Sequence, residues 1–226
     1  MSKTMNKEAI EKATQILMNI KPRSLFEYRK WKRILGSDLK KIALLRALSP
    51  QTKVVNLRSL EYSSDVDDLT ADISDEKVEH ILRKHNIRFP RQKVKVVKAV
   101  RSVDWMKMIC SLEELCGGGL TKEREARARI MHEVFGMGWK TTSDFLKDIG
   151  FSRQLAVLDS RNLNFLKSVG LTYESLKASM LSNPHVYYEL ENIENEVADQ
   201  LGITVSDLDE RIMTYTGTSK ELPHVI

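Results

Sequence analysis

The feature that most constrains the fold of this 226-residue chain is a recurring helix-start signal, a capping side chain followed by an amphipathic stretch. Ser49-Pro50 and Asn183-Pro184 each place a capping residue before a proline, which suits the first helical position because its missing N–H would be unpaired there. Ser74 also precedes an amphipathic segment, and Ser111 and Glu114 have the spacing of a capping box. The alternating apolar pattern of β-strands is lacking. The sequence therefore predicts a mainly α protein.

Amphipathic periodicity predicts where the helices lie. The predicted helices are near residues 6–20, 24–35, 37–47, 51–62, 75–86, 91–109, 122–134, 139–149, 161–169, 173–181, 185–201 and 206–214. The polar stretch 62–68 is predicted to be a loop. Neither a sustained heptad nor a longer repeat is visible, which argues against a coiled coil or a solenoid.

Composition narrows the class of partner. The chain has 36 Lys and Arg against 31 Asp and Glu, a net charge of +5 that suits a polyanion without requiring one. The two cysteines, Cys110 and Cys116, are too few for a four-cysteine cluster and share no metal-ligand spacing with the histidines, so no metal bound by side chains is expected. Their number favours a reducing intracellular compartment, the cytoplasm or nucleoid. The apolar runs are too short for a membrane span, and no membrane partner is expected.

Residues 121–150 carry the most informative pattern, a charged amphipathic helix, a two-glycine turn and a second helix from Trp139. Glycines at 136 and 138 allow a sharp turn and leave backbone amides open at a helix N-terminus, a geometry that receives a phosphate. This pattern predicts a helix-hairpin-helix that binds the DNA backbone regardless of sequence. The alternative is a simple corner between two helices, in which the glycines only close the turn.

Lys140 lies in the first turn of the second predicted helix, where the positive end of the helix dipole disfavours a cation. A lysine that is partly neutral can attack a sugar C1′ and form a Schiff base. The alternative is an ordinary solvated lysine. Asp159 follows 19 residues later, at the end of the apolar run Leu155-Ala-Val-Leu158. Its carboxylate could stabilise positive charge at C1′ or relay protons, and it could equally cap the helix that begins near Arg161.

The sequence GMGWK followed by AVLD resembles the helix-hairpin-helix superfamily of base-excision DNA glycosylases, and most closely the archaeal-type 8-oxoguanine DNA glycosylase/lyase family. The segment from Arg88 to Lys93 is similar to that family's RF-x-x-x-K pattern. The resemblance implies two helical domains flanking a DNA-binding cleft. We expect a terminal domain of residues 1–35 and 152–226, and a central domain of residues 36–151 that contains the helix-hairpin-helix.

The resemblance also implies roles for individual residues. Lys140 would be the Schiff-base nucleophile and Asp159 the catalytic carboxylate. The implied DNA-binding residues are Gly136, Gly138, Trp139, Arg161, Arg88, Arg91 and Lys93. The implied base-pocket residues are Gln51, Ile212 and Met213. A K⁺ or Na⁺ ion would be held by the backbone carbonyls of His132, Val134 and Met137, and no other cofactor is required.

These features predict an enzyme, a bifunctional DNA glycosylase with AP lyase (β-elimination) activity that removes 8-oxoguanine. Its partner would be double-stranded DNA that contains a damaged or modified base, and the protein is expected to act as a monomer. Two alternatives stay open: a glycosylase for another damaged or hypermodified base, and a non-catalytic helix-hairpin-helix module that binds DNA. One departure bears on DNA contacts, since the family's Asp-Arg-His is Asp159-Ser160-Arg161 here.

Overall fold

The computed structural model describes residues 3–22 and 26–217, with side chains from residue 7 onwards. The described residues form α-helices and short 3-10 helices, with no β-strand among them, which confirms the predicted helical class. The α-helices are α1 (Lys3–Met18), α2 (Gly36–Leu48), α3 (Val54–Glu61), α4 (Asp65–Thr70), α5 (Asp75–Lys84), α6 (Pro90–Ser102), α7 (Trp105–Ser111), α8 (Gly119–Glu133), α9 (Trp139–Asp148), α10 (Ser160–Ser168), α11 (Pro184–Leu201) and α12 (Val205–Tyr215). The 3-10 helices are Lys30–Arg33, Glu113–Leu115 and Ala178–Ser182. None of the helices in this described part is long and apolar enough to cross a membrane.

The chain divides into two compact units. Of the described residues, those up to 28 and from 152 onwards form the terminal unit, and residues 29–151 form the central unit. The sequence placed the first boundary at residue 35. The boundary falls earlier because the segment after it packs on the central unit: the Arg29 N–H donates to the Gly150 carbonyl, and the Trp31 ring lies 5.9 Å from that of Phe151. Residues 1–2, 23–25 and 218–226 of the predicted terminal domain lie outside the described residues.

In the terminal unit, α1 packs on α11 and α12, and α10 packs on α12. Leu17, Val197 and Leu208 are buried and contribute to the apolar core. The Phe165 ring meets the Tyr215 ring edge-on at 5.8 Å, which fixes the C-terminal end of α12.

In the central unit, α2 is the helix around which the others gather, since α6, α7 and α9 all pack on it. Its positions Leu39, Ile42 and Leu48 are buried. The Trp105 ring meets the Phe145 ring edge-on at 5.1 Å, and its indole N–H donates to the Val100 carbonyl at 2.9 Å. The apolar ring is thus packed while its one polar group is satisfied.

Two of the predicted helix starts are confirmed and two are wrong. Ser74 and Asn183 are N-caps, because their side-chain oxygens accept the N–H of Lys77 and His185 respectively. The prediction at Ser49 is wrong, since this residue is the C-cap of α2. The capping box at Ser111 is also wrong: its hydroxyl donates back to the Met108 carbonyl, and the residue ends α7.

Several predicted segments differ from the observed ones. The stretch 62–68 is not all loop, because α4 forms there and buries Val66 and Leu69. The predicted helix 91–109 is two helices, α6 and α7, and Asp104 caps the second by accepting the Lys107 N–H. Only short 3-10 turns form within the described parts of 24–35 and 173–181.

Candidate active site and nucleic-acid interface

The predicted helix-hairpin-helix is present, with α8 and α9 packed together and residues 134–138 turning between them. Gly136 has φ 93°, and a Cβ placed there would lie 2.7 Å from Cγ2 of Val96. Gly138, the N-cap of α9, has φ −89°, and a Cβ there would meet nothing within 4 Å. The fold therefore requires glycine at 136, whereas at 138 glycine only keeps the space in front of α9 clear.

The N-terminus of α9 has the properties of an anion site. Gly138 contributes no side-chain cap, and no acidic residue lies in the first turn. The first backbone amides of a helix have no partner within the helix, and they form the positive end of its dipole. A phosphate could approach these amides through the clear space at Gly138.

Two buried apolar side chains hold the hairpin turn in place. Val134 and Met137 are buried, and the Met137 N–H donates to the Val134 carbonyl at 3.2 Å. Phe135, between them, is one of the exposed large apolar residues. A carbonyl oxygen has two lone pairs, so the Val134 oxygen keeps acceptor capacity for a cation after this hydrogen bond.

Lys140 is the second residue of α9, and its side chain is 39% exposed. Its Nζ lies 3.9 Å from Oδ2 of Asp144, one helical turn further on. The same oxygen accepts a hydrogen bond from Nη1 of Arg46 at 3.0 Å. The two cations therefore share one carboxylate, and Arg46 has the closer contact.

Arg46 anchors α9 to α2 through a buried ion network. Its guanidinium is bound to both Asp144 and Asp148 in α9. Burial alone would lower the pKa of Arg46, but the two carboxylates outweigh that effect and hold the pKa above its usual range. The guanidinium thus stays charged and fixes the face of α9 that is opposite to solvent. Sequence reasoning missed this residue, although Asp144 and Asp148 share one helix face four residues apart.

Asp159 is both the end of the apolar run and the N-cap of α10. Its Oδ1 accepts the N–H of Arg161 at 2.7 Å and that of Asn162 at 3.3 Å. Its Oδ2 accepts two guanidinium N–H groups of Arg161, at 2.7 and 3.0 Å. The capping role proposed as an alternative is therefore present, and it orients the carboxylate whatever else that group does.

The run before Asp159 is buried and non-helical, and none of the residues that the structure describes forms a strand beside it. Side chains of α11 pair with its backbone instead. The Tyr187 hydroxyl donates to the Ala156 carbonyl at 2.8 Å and accepts the Leu158 N–H at 3.3 Å, while Glu191 Oε1 accepts the Ala156 N–H at 3.0 Å. These contacts satisfy buried polar groups that a sheet would otherwise pair.

A buried polar cluster lies behind the first turn of α10. The Asn162 side-chain amide donates to Glu194 Oε1 and to Asp209 Oδ1, both at 3.2 Å. Burial, and then the neighbouring Asp209 carboxylate, hold the pKa of Glu194 well above its usual range. Sequence reasoning missed this cluster. The one sequence feature that indicates it is Glu194, an acidic residue on the apolar face of α11.

The predicted DNA-binding side chains lie in different settings. Arg88 is exposed, and Arg91 is exposed with an ion pair to Glu79 at 3.3 Å. Trp139 is half-buried, with the guanidinium of Arg127 stacked 4.8 Å from its ring centre. Arg161, described above, is paired with Asp159.

Four other predicted site residues lie where a direct contact with DNA or with the base is not evident. Lys93 is buried and bound by oxygens of the chain itself, so its position does not fit a direct phosphate contact. Ile212 and Met213 are buried on the core face of α12, which does not fit side chains that line an open base pocket. Gln51 is exposed in the turn after α2, and its role in a base pocket stays a prediction.

In the part of the chain that the structure describes, no group of three or more His, Cys, Asp or Glu side chains is placed to hold a metal ion. A cation at the hairpin would therefore depend on backbone oxygens.

The described residues form a helical fold with a glycine hairpin, and the helix after the hairpin has an uncapped N-terminus with a half-exposed lysine in its first turn. These features define the class of helix-hairpin-helix proteins. Comparison with known proteins makes the class specific. A family model described as 8-oxoguanine DNA glycosylase matches residues 47–203, and the chain belongs to this family.

Two curated relatives illustrate the similarity. The 8-oxoguanine DNA glycosylase/AP lyase of Aquifex aeolicus is 30% identical over 148 residues, which cover 65% of this chain and 62% of the relative. The protein of the same name from Korarchaeum cryptofilum is 29% identical over 150 residues, which cover 66% of each chain. The matched region thus spans slightly less than two thirds of these relatives.

Solved structures show the same fold over more of the chain. The crystal structure of Methanocaldococcus jannaschii 8-oxoguanine glycosylase/lyase, in complex with a 15mer DNA containing 8-oxoguanine, matches with a TM-score of 0.68 and 20% identity, covering 96% of this chain and 93% of that one. The 8-oxoguanine DNA glycosylase of Thermotoga maritima matches with a TM-score of 0.65 and 18% identity, covering 96% and 91%.

Proposed function

We propose that this protein is a bifunctional DNA glycosylase/AP lyase that removes 8-oxoguanine from double-stranded DNA through a Schiff base on Lys140. The observation that carries the proposal is the position of Lys140, half-exposed in the first turn of α9, directly beside an open helix N-terminus. A phosphate bound at that terminus would bring a deoxyribose near the amine. Membership of the 8-oxoguanine DNA glycosylase family supports the reaction and the substrate.

The proposed reaction has two stages, release of the base and cleavage of the strand. The neutral Nζ of Lys140 attacks C1′, the bond from C1′ to the base breaks, and the base leaves with the electron pair and takes up a proton. The attached Nζ loses a proton and the C1′–O4′ bond then breaks, with O4′ keeping the electron pair and taking up a proton, which opens the sugar and leaves a protonated imine between Nζ and C1′. Loss of a C2′ proton from this imine allows β-elimination, which expels the 3′ phosphate and nicks the strand. We assign to Asp159 the carboxylate that opposes the positive charge developing at C1′.

Borohydride trapping tests the nucleophile, because it reduces the imine and leaves protein covalently attached to DNA. Wild-type protein should form this adduct with a duplex containing 8-oxoguanine, and Lys140→Gln should not. Lys147→Gln is the matched control, a lysine near the other end of the same helix, and it should trap as the wild type does. An adduct that persists in Lys140→Gln would overturn the assignment of the nucleophile.

The base is tested with a panel of duplexes that contain 8-oxoguanine, other damaged bases or hypermodified bases. This panel matters because Ile212 and Met213, predicted to read the base, are core residues. Preferential release of another base would favour a glycosylase of different specificity on the same Lys140 chemistry. No trapping and no release from any duplex would favour the non-catalytic DNA-binding module.

Asp159→Asn separates catalysis from capping, since asparagine is as good an N-cap as aspartate. If the carboxylate acts in the reaction, turnover should fall about 10²- to 10⁴-fold while DNA affinity changes little. Equal losses of affinity and of rate would instead indicate that the residue only organises α10.

We also propose that the protein is intracellular and acts as a monomer. A further proposal is that a K⁺ or Na⁺ ion binds at the hairpin, held by the carbonyls of His132, Val134 and Met137. The cation is tested by DNA affinity and melting temperature in K⁺, Na⁺ and Li⁺ salts at constant ionic strength. An ion that completes the hairpin should make both quantities depend on the cation. Identical values in the three salts would contradict the proposal.

A further inference from the structure

Lys93 is a buried lysine, 7% exposed, near the start of α6. Its Nζ donates to the Leu48 carbonyl at 2.7 Å, to the Pro50 carbonyl at 3.0 Å and to Thr52 Oγ1 at 2.6 Å. An ammonium has three N–H donors, so these three oxygens satisfy it completely. Lys93 therefore ties the start of α6 to the turn that follows α2.

Two residues near Lys93 have left-handed backbones. Gln51 lies between Pro50 and Thr52 and has φ 59°. Phe89 has φ 56°, and its carbonyl accepts the backbone N–H of Lys93 at 3.0 Å. A residue with a Cβ adopts this conformation only where its surroundings enforce it. The Lys93 ammonium supplies such a constraint directly on the turn at Gln51. The bond to the Phe89 carbonyl is the ordinary backbone bond of the first turn of α6, so the ammonium acts on Phe89 by anchoring that turn.

Both left-handed residues are exposed, although each is held by buried contacts. Phe89 is 50% exposed, and Gln51 is exposed in its turn. An aromatic ring and a carboxamide are side chains that stack on bases and hydrogen-bond to them. Arg88, beside Phe89, adds an exposed cation suited to phosphate.

Helix α6 also supports the hairpin. Val96, one turn after Lys93, is the residue against which Gly136 packs. The buried face of α6 thus connects the proposed phosphate-binding turn to the pair of exposed residues at 51 and 89.

We propose that Lys93 is a positioning residue for DNA binding: its ammonium holds the turn at Gln51 in its left-handed conformation and anchors the first turn of α6 behind Phe89, and so pre-organises a second DNA-contacting surface of the central unit. This inference rests on the proposed function, since it assumes that the ligand is a DNA duplex. Pre-organisation favours binding because the turn is already ordered in the free protein, so that binding does not have to supply the free energy of ordering it.

The charge of the Lys93 ammonium can be varied within the pH range in which DNA binding is measured. Burial lowers the pKa of Lys93 to about 8, and no charged neighbour contributes to the shift. On the helices packed against α6, several charged side chains form ion pairs away from Lys93: Arg46 of α2 with Asp148 of α9, Asp65 of α4 with Lys84 of α5, and Glu79 with Arg83 within α5. Above this pH the neutral amine has two donors for three acceptors, and the turn should loosen.

The test measures DNA affinity by fluorescence anisotropy between pH 6.5 and 9.5, using a duplex with 8-oxoguanine and protein carrying Lys140→Gln to prevent turnover. The parent should lose affinity about tenfold as the pH rises through 8. Lys93→Met should bind about tenfold more weakly at pH 7 and lose that pH dependence. Lys98→Met, an exposed lysine of the same helix paired with Asp75, should match the parent.

Structural damage is separated from positioning by a second variant. Gln51→Ala with Phe89→Ala keeps Lys93 and changes only exposed side chains, so it should fold and still bind about tenfold more weakly. The proposal is overturned if this double variant binds like the parent, or if Lys93→Met lowers the melting temperature while its affinity and pH profile stay those of the parent. A parent that fails to bind DNA at all would instead refute the proposed function.

Discussion

Alanine substitutions at Gly136 and Gly138 should separate the structural role of the hairpin from its role in binding. The two glycines are two residues apart in one turn, yet their surroundings differ. Gly136 has a left-handed backbone and packs on Val96, whereas Gly138 has an ordinary φ and open space before it. Gly136→Ala should destabilise the protein, and Gly138→Ala should weaken DNA binding with little change in stability.

The magnitudes follow from these surroundings. Alanine in a left-handed conformation costs about 1–2 kcal/mol. A Cβ that would lie 2.7 Å from buried Val96 adds about 1–3 kcal/mol of overpacking. The free energy of unfolding should therefore fall by about 2–5 kcal/mol in Gly136→Ala. At 138 the poorer N-cap and the smaller entropy of the unfolded chain oppose each other, and the net change should stay within about 1 kcal/mol.

The effect of Gly138→Ala on DNA depends on the amides behind it. A methyl group in front of them would displace a phosphate and forfeit a charge-assisted hydrogen bond, which contributes about 1.5–3 kcal/mol. This loss corresponds to about 10- to 100-fold in affinity. Urea unfolding followed by circular dichroism gives the stabilities, and anisotropy with an undamaged duplex gives the affinities. Wild-type affinity in Gly138→Ala would refute the phosphate site, and equal destabilisation of both variants would refute the geometric argument.

Two further predictions concern buried groups of the terminal unit. Because the pKa of Glu194 is raised, the folded state keeps a proton that the unfolded state releases above about pH 4.5; wild-type stability should therefore fall as pH rises above that value, by up to about 1.4 kcal/mol per pH unit. Glu194→Gln should lessen this slope in urea titrations from pH 5 to 8, and an unchanged slope would show that Glu194 is ionised. Tyr187→Phe should cost about 2–4 kcal/mol because it leaves two buried backbone groups unpaired, whereas Tyr173→Phe, on an exposed ring, should stay within about 0.5 kcal/mol. Equal stabilities of these two variants would contradict that account.

Local patterns predicted the hairpin well. Helical periodicity on both sides and two glycines between them are enough to specify the turn, so α8 and α9 end and begin where the sequence indicates. The position of Asp159 could be predicted equally well, because an N-cap after an apolar run is a local sequence signal. Competing local rules caused the error at Ser49-Pro50, since proline is common shortly after the end of a helix as well as at its start.

Features that depend on distant contacts were not predictable in the same way. The polar stretch 62–68 becomes partly helical because Val66 and Leu69 are buried against other helices. Lys93 resembles a surface lysine, although its spacing from Val96, Val97 and Val100 puts it on the buried face of α6. Its acceptors lie more than 40 residues earlier in the chain, where no periodicity could indicate them.

The pairing of the run before Asp159 with side chains of α11 also has a kinetic consequence. The backbone partners of Ala156 and Leu158 lie on α11, about 30 residues later, so these two residues cannot acquire their hydrogen bonds until that helix has formed and docked. The amide hydrogens of Ala156 and Leu158 should then exchange with solvent whenever α11 detaches, even while α10 stays helical. The carboxylate at 159 would accordingly be among the last groups of the terminal unit to reach its final position during folding.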